Sequence, residues 1–336
     1  MTAPVEDLEW ITVEDSSAPG RVRRAAMALA RRIGFSEERA GEVGIAATEL
    51  ATNLHRHAVD GAVLVRLRRN ADDAAVELVA TDAGPGMADL AVLAQDGRSS
   101  AGTLGIGLGA VIRLATWFDG HSVVGRGTVM LATFWRGAAP VGRATVATLT
   151  RTMVGESVCG DACAQRTDAG VTTLMLADGL GHGPLAAAAA QEAVRAFDTA
   201  SARDTMPAQL LRRLDGALRS TRGAAVTVVR LDPAARTLAF VGVGNVAGWV
   251  DDGEQRRALT AGPGIAGNNT KTIREFESAL PAHALVVLHS DGLTSKWDLG
   301  AYPGLREHDP HLVAATLMRD AGIRHDDASV IVARAS

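Results

Sequence analysis

The stretch DAGPGMADLAVLAQDGRSSAGTLGIGLG, residues 82–109, carries seven glycines: Gly84, Gly86, Gly97, Gly102, Gly105, Gly107 and Gly109. Backbone this free serves either a tight turn or a cradle for phosphates, since a chain without Cβ atoms can bring its N–H groups close to an anion. The flanks bear on the choice. Upstream, AVLVRLRR (62–69) and AAVELVAT (74–81) are rich in alternating apolar residues and read as strands. Downstream, GLGAVIRLATWF (107–118) reads as a helix, so Gly105-Ile106-Gly107-Leu108-Gly109 stands directly before a helix N-terminus, where amide donors point outward. The segment is not a P-loop, because no G-x-x-x-x-G-K-[ST] occurs, and the chain's two lysines are Lys271 and Lys296. A triphosphate held here would be held by backbone amides, helix termini and a metal ion.

Working outward, residues 21–33 have helical spacing. A longer helix begins at Ser36, a good N-cap, with Glu37 and Glu38 suited to the positive helix terminus, and runs through EVGIAATELATNLHRHA. Glu49 and Asn53 are four apart on it and share a face. A carboxylate and an amide so placed suit a general base beside a Mg²⁺ ligand; alone, the pair is the pattern of a solvated helix face. Asp82 ends a strand and can accept a hydrogen bond from an exocyclic amine. His55 and His57 read as helix-surface histidines. The hairpin HSVVGRGTVMLATFW (121–135), with Gly125 and Gly127 at its turn, closes the first half, and RGAAPVGRA (136–144) reads as a linker.

The second half is expected to hold strands near 144–154 and at 171–178, 224–231, 237–244, 284–290 and 328–334. Helices are expected from Pro184, at 207–219 and near 310–321. Acidic residues fall at strand ends or turns: Asp161 in CGDAC, Asp178 in ADGLGHG, Asp291 in HSDGL and Asp326 in HDDASV. Singly, each is an ordinary turn residue. Repetition makes the pattern specific, because LMLADG and LVVLHSDG are both apolar strands ending in Asp-Gly, each aiming a carboxylate at a strand mouth. Converging carboxylates with a nearby carbonyl are hard-oxygen ligands for Mg²⁺ or Mn²⁺, and two such ions can clamp a phosphoryl group.

Bulk properties narrow the function further. The chain has 336 residues, 47% hydrophobic, long enough for two domains. A net charge of −4 argues against a nucleic-acid partner. No apolar run approaches the ~18 residues of a membrane span, and the acidic start MTAPVEDLEW does not read as a signal peptide, so the expected location is cytoplasmic. Cys159 and Cys163, the only cysteines, are expected to be reduced thiols.

TELATN, DAGPGM and GIGLG resemble the three boxes of the GHKL (Bergerat) nucleotide-binding fold shared by histidine kinases and anti-sigma-factor kinases, and GRGT resembles its additional box. The resemblance covers about residues 20–136 and is greatest to RsbT-like serine kinases of bacterial stress signalling. Without a phospho-accepting histidine helix ahead of the fold, a sensor histidine kinase is not expected. The resemblance implies that Asn53 binds Mg²⁺, that Asp82 reads adenine with Gly84 and Gly86 shaping its pocket, and that Gly105, Gly107 and Gly109 wrap the phosphates. Thr128, in the fourth box, would belong to the nucleotide site, and Glu49 would act as base toward a protein hydroxyl.

SVCGDA and LADGLGHG resemble metal-dependent type 2C protein phosphatases of the SpoIIE and RsbX branch, over about residues 144–334. That implies Asp178 bridging two metals, the Gly179 carbonyl assisting, Asp161 holding a metal directly or through water, and Asp291 and Asp326 completing the second site. Asp327 stands where many relatives have Asn, so either of the pair fits as ligand. Leu180 replaces the histidine of animal-type members; His182 would orient phosphate or serve a structural role.

Together the resemblances imply an α+β chain of two domains: a GHKL α/β sandwich at 1–137, a linker at 138–143 and a type 2C αββα sandwich at 144–336. The expected activity is ATP·Mg²⁺-dependent phosphorylation of a STAS-domain anti-anti-sigma-type partner, opposed by Mg²⁺- or Mn²⁺-dependent hydrolysis of its phosphoserine or phosphothreonine. A sigma factor or a stress-signalling complex is a further expected partner. The alternative is a phosphatase regulated by a non-catalytic ATP-sensing or sigma-factor-binding module, and a scaffold with two degenerate sites is a third reading.

Overall fold

The computed structural model describes residues 5–70, 73–88, 90, 107–138, 144–200, 206–268, 270, 273–323 and 325–335. Two compact units are formed: Ala3–Arg143 together with Ala301–Asp320, and Ala144–Gly300 together with Ala321–Ser336. Residues 301–320, which the sequence reading counted with the second half, thus belong with the first.

In the first unit, β1 (Val5–Thr12), α1 (Ala18–Arg32), α2 (Glu37–His57), β2 (Ala62–Arg69), β3 (Ala74–Asp82), α3 (Gly107–Leu114), β4 (Trp117–Val123) and β5 (Gly127–Trp135) follow in order. The strands form one antiparallel sheet, β1-β2-β3-β5-β4. Ser36 caps α2 as expected, its hydroxyl accepting from the Arg39 amide at 3.1 Å. Val22, Ala26 and Leu29 of α1 and Val43, Ala47 and Leu50 of α2 join Val76, Leu78, Met130, Ala132 and Phe134 in one core on one face of the sheet. Yet β3 and β5 are buried at every position. Their second face is covered by residues 301–320, whose helix packs on β3, β4 and β5. On β3, Glu77 is fully buried with Arg66 at 3.6 Å, Arg68 at 2.9 Å and the Thr133 hydroxyl donating at 3.1 Å.

The helix expected at 107–118 ends at Leu114. Arg39 donates to the Leu114 carbonyl at 2.8 Å and to the Thr116 hydroxyl at 3.1 Å, and Trp117 and Phe118 pair with Thr133 and Ala132 as the start of β4. Aromatic side chains favour that half-buried strand over a helix end. Gly97, Gly102 and Gly105 of the glycine loop and positions 139–143 of the linker lie outside the described residues.

The second unit contains β6 (Val146–Arg151), β7 (Asp161–Asp168), β8 (Val171–Gly179), α4 (Pro184–Asp198), α5 (Pro207–Leu218), β9 (Ala224–Asp232), β10 (Thr237–Val243), β11 (Ala247–Asp251), β12 (Arg256–Leu259), β13 (Phe276–Ala279), β14 (Leu285–His289) and β15 (Ala328–Arg334). The intervening helix α6 (Pro310–Asp320) is the one in the first unit. Two five-stranded antiparallel sheets, β13-β10-β9-β8-β7 and β12-β11-β14-β15-β6, face each other. Leu174, Leu176, Val229 and Leu238 from one meet Val250, Val286, Leu288 and Ile331 from the other. The first sheet's outer face is covered by α4 and α5, through Ala189, Ala193, Phe197, Leu210 and Leu214 against Met175, Val226, Val228 and Val241. Among the described residues no helix is long and apolar enough to cross a membrane.

Candidate functional site

In the first unit, α2 brings Glu49 and Asn53 to the N-terminus of α3. A Cβ at Gly107 would stand 2.8 Å from Glu49 Oε2 and 3.9 Å from Asn53 Nδ2, so the helix start lies close to both side chains. Gly109 is buried on α3. Asp82, buried at the end of β3, accepts from the Gly84 amide at 2.8 Å. Burial pushes its carboxyl up, against the opposing pull of the Gly84 amide, the Arg319 charge and the Thr128 amide and hydroxyl. A Cβ at Gly84 would crowd Asp82 Oδ1 at 2.8 Å and the His57 carbonyl at 3.0 Å. Gly86 and Gly127 have φ of +68° and +88°, and a Cβ there would overlap the Val123 and Asp82 carbonyls respectively. Thr128 lies opposite Asp82 in the ladder, its hydroxyl 3.0 Å from that of Ser122. Glu49, Asn53 and Gly107 thus gather at one edge of the fold, and Asp82, Gly84, Gly86 and Thr128 at the loop that follows β3. Gly105 falls outside the described residues. His55 and His57 are exposed.

The second unit gathers carboxylates. Asp161 and Asp178 face each other across the β7–β8 ladder. Burial, then the charges of Asp161, Asp291 and Asp326, push Asp178 up to about 9. Burial also raises Asp161 to about 7, with Asp327 and Asp291 adding to it and the Ser290 and Ser329 hydroxyls opposing. Asp326 is raised by burial and by Asp291. Each of these groups therefore feels the others, and so much negative charge in one place calls for a cation. One oxygen of the buried Asp161, Oδ2, has no hydrogen-bond partner among the described residues. An orphaned carboxylate oxygen inside an acidic cluster fits a metal ligand. Among the described residues no three acidic, histidine or cysteine side chains already form a ligand set for one ion.

Local backbone explains the arrangement. The Gly179 amide donates to the Gly160 carbonyl at 3.0 Å, and a Cβ at Gly179 would overlap the Ala186 carbonyl, so Asp178-Gly179 needs glycine to turn under α4. Asp326 and Asp327 divide. Both Asp327 oxygens accept backbone amides, Oδ1 from Met153 and Oδ2 from Gly160, each at 2.8 Å. Among the described residues Asp326 accepts just the Asp327 amide, at 2.9 Å, and it lies by Asp291.

Sequence reasoning missed three neighbours. Asn245 donates to Asp291 Oδ2 at 2.6 Å; its signal was the Gly244-Asn245 step, Gly244 having φ +93°, that ends β10. Glu156 lies 2.6 Å from His182 Nδ1, holding the imidazole at the mouth of the cluster. Arg222 sits beside Gly181, its Nη1 3.4 Å from where a Cβ would be, on a turn tied back by the Leu180 amide to the Gly223 carbonyl at 3.0 Å. Cys159 and Cys163 form no disulfide, and burial pushes the Cys159 thiol up.

This combination defines a PP2C-type serine/threonine phosphatase domain joined to a GHKL-like, histidine kinase-like ATPase domain. The family model for stage II sporulation protein E (SpoIIE) matches residues 168–336, and the chain belongs to that family. The histidine kinase-like ATPase domain model matches residues 13–134. The serine/threonine-protein kinase RsbT of Bacillus subtilis (strain 168) is 32% identical over 106 residues, spanning 32% of this chain and 80% of RsbT. A solved structure from work on the bacterial stressosome, a modular system adapted to control secondary messenger signaling, is 31% identical with a TM-score of 0.52, covering 56% of this chain and 98% of its own. RsbX in complex with magnesium superposes at 19% identity and a TM-score of 0.46, covering 56% and 94%. The likeness to RsbT and the match to the SpoIIE family support a partner-switching regulator.

Proposed function

We propose that the chain is a bifunctional switch that phosphorylates a serine or threonine of a STAS-type partner from ATP·Mg²⁺ and removes the phosphoryl group from the same or a related partner. The observation that carries the phosphatase half is the acidic cluster with its orphaned Asp161 oxygen. Asp161, Asp178, Asp291 and Asp326, with the Gly179 carbonyl, would hold Mg²⁺ or Mn²⁺. When bound, such ions supply Lewis acidity to the phosphoryl group and lower the pKa of water. The protein's own part is orientation. Asn245 fixes the Asp291 carboxylate, Asp327 pins the Met153 and Gly160 amides, and His182, held by Glu156, would give a proton to the departing seryl oxygen.

In the first unit, Asn53 would hold Mg²⁺, Asp82 would read the adenine amine, and the N-terminus of α3 with Gly107 and Gly109 would receive phosphates. Glu49 would accept the proton of the partner's hydroxyl. The test is one partner carried through both reactions: transfer of labelled phosphate from ATP in Mg²⁺, then its release in Mn²⁺ after ATP is removed. Glu49→Gln should abolish transfer while sparing release, and Asp178→Asn the reverse. Undiminished release by Asp178→Asn would refute the metal-site assignment, and transfer unaffected by Glu49→Gln would refute the base.

A further inference from the structure

The nucleotide pocket of the first unit has a part that no motif announces. It comes from residues 301–320, more than 160 positions beyond the last strand of that fold, β5, and inside the stretch matched by the SpoIIE model. Arg319, in the last turn of α6, donates through Nη1 to the Asp82 carbonyl at 2.8 Å and to the Thr128 carbonyl at 3.4 Å. These residues lie opposite each other where β3 and β5 part. The Thr128 amide and hydroxyl are turned to the Asp82 carboxyl instead. The guanidinium is itself fixed: Nε and Nη2 each hold a different Asp320 oxygen at 2.6 Å, and the Tyr302 hydroxyl donates to Asp320 Oδ2 at 2.5 Å. Its side chain is 8% exposed, so the bonds form away from competing water.

We propose that Arg319 is a positioning residue of the nucleotide pocket, which holds the Asp82 and Thr128 peptides in the orientation that reads adenine, so that α6 senses whether nucleotide is bound. The inference rests on the reading of the first unit as an ATP site. The physics is that of a side chain aimed by its own backbone. A buried carbonyl left without its donor rotates or recruits water, and the carboxylate on the same residue moves with it. A planar guanidinium spans two carbonyls in a way an ammonium does not.

The experiment uses the full chain, with ATP and GTP titrated by calorimetry in Mg²⁺, for wild type, Arg319→Ala and Arg319→Lys. The expected result is a roughly tenfold weaker ATP affinity for Arg319→Ala, with a matching loss of preference for ATP over GTP, and partial recovery in Arg319→Lys. Wild-type protein should also show slowed amide hydrogen exchange across 310–320 when ATP is added. Unchanged ATP affinity and ATP:GTP ratio in Arg319→Ala would overturn the proposal. An equal loss for both nucleotides, accompanied by a lower Tm, would overturn it too, as the mark of a packing role. Wild-type protein that binds neither nucleotide would sink the ATP reading itself, and the proposal with it.

Discussion

Glu77 offers a quantitative test of how the first unit is held. Its carboxylate is fully buried on β3. Burial alone would raise it, but the charges of His311, Arg68 and Arg66 outweigh that and bring it down from 4.5 to about 2. At about 1.4 kcal/mol per pH unit, this depression is worth about 3 kcal/mol to the folded state. The sign follows from the folded value lying below the unfolded one. The stabilisation is complete above pH 4.5 and is lost as pH falls from there toward 2. Urea unfolding should be followed by tryptophan fluorescence in a Trp249→Phe/Trp297→Phe background, leaving Trp10, Trp117 and Trp135 to report this unit. Stability should drop steeply between pH 4.5 and 3. Glu77→Gln should cost about 3–5 kcal/mol at pH 7, because it removes the carboxylate that pairs with Arg68 and the buried Arg66, and should flatten the acid slope. An acid slope identical in wild type and Glu77→Gln would refute the account.

Other outcomes follow from the acidic cluster. Asp326→Asn should abolish Mn²⁺-dependent phosphatase activity with little change in Tm. Asp327→Asn should instead lower stability by about 1.5–3 kcal/mol, because it weakens the two amide contacts to Met153 and Gly160, and parallel thermal melts and activity assays separate the two. Asn245→Ala, freeing the Asp291 carboxylate, should weaken Mn²⁺ binding about 10–100-fold by calorimetry while the fold persists. Mn²⁺ at 100 times its Kd should stabilise the second unit by about 2.7 kcal/mol in denaturant titrations, and Asp178→Asn should abolish that gain.

Much of this molecule was legible in its sequence. The two-unit α+β fold announced itself because TELATN, DAGPGM, GIGLG and the paired strand–Asp-Gly endings are short, local and chemically specific. What stayed hidden depends on pairing partners distant in the chain. The edge strand β1, VEDLEWIT, alternates too weakly to stand out, and gains its place by lying against β2. Strands β7, β11, β12 and β13 are short or polar and are defined by their neighbours. At the candidate sites, Asp178 and Asp161 could be picked out by motif. Asn245 and Glu156 could not, since each matters through the one side chain it touches. The division of labour between Asp326 and Asp327 likewise needed the Met153 and Gly160 amides in view.

The borrowed segment 301–320 has a practical consequence. A gene fragment ending at residue 143 would encode β1 to β5 without their second cover, leaving Glu77, Asp119 and His121 facing solvent in place of His311, His308 and the Pro303 carbonyl. Such a fragment is expected to aggregate or to lose nucleotide, for reasons unrelated to catalysis. Cutting the chain at residue 143 to exchange one domain for another would break the same joint, so an engineered first unit needs residues 301–320 supplied with it.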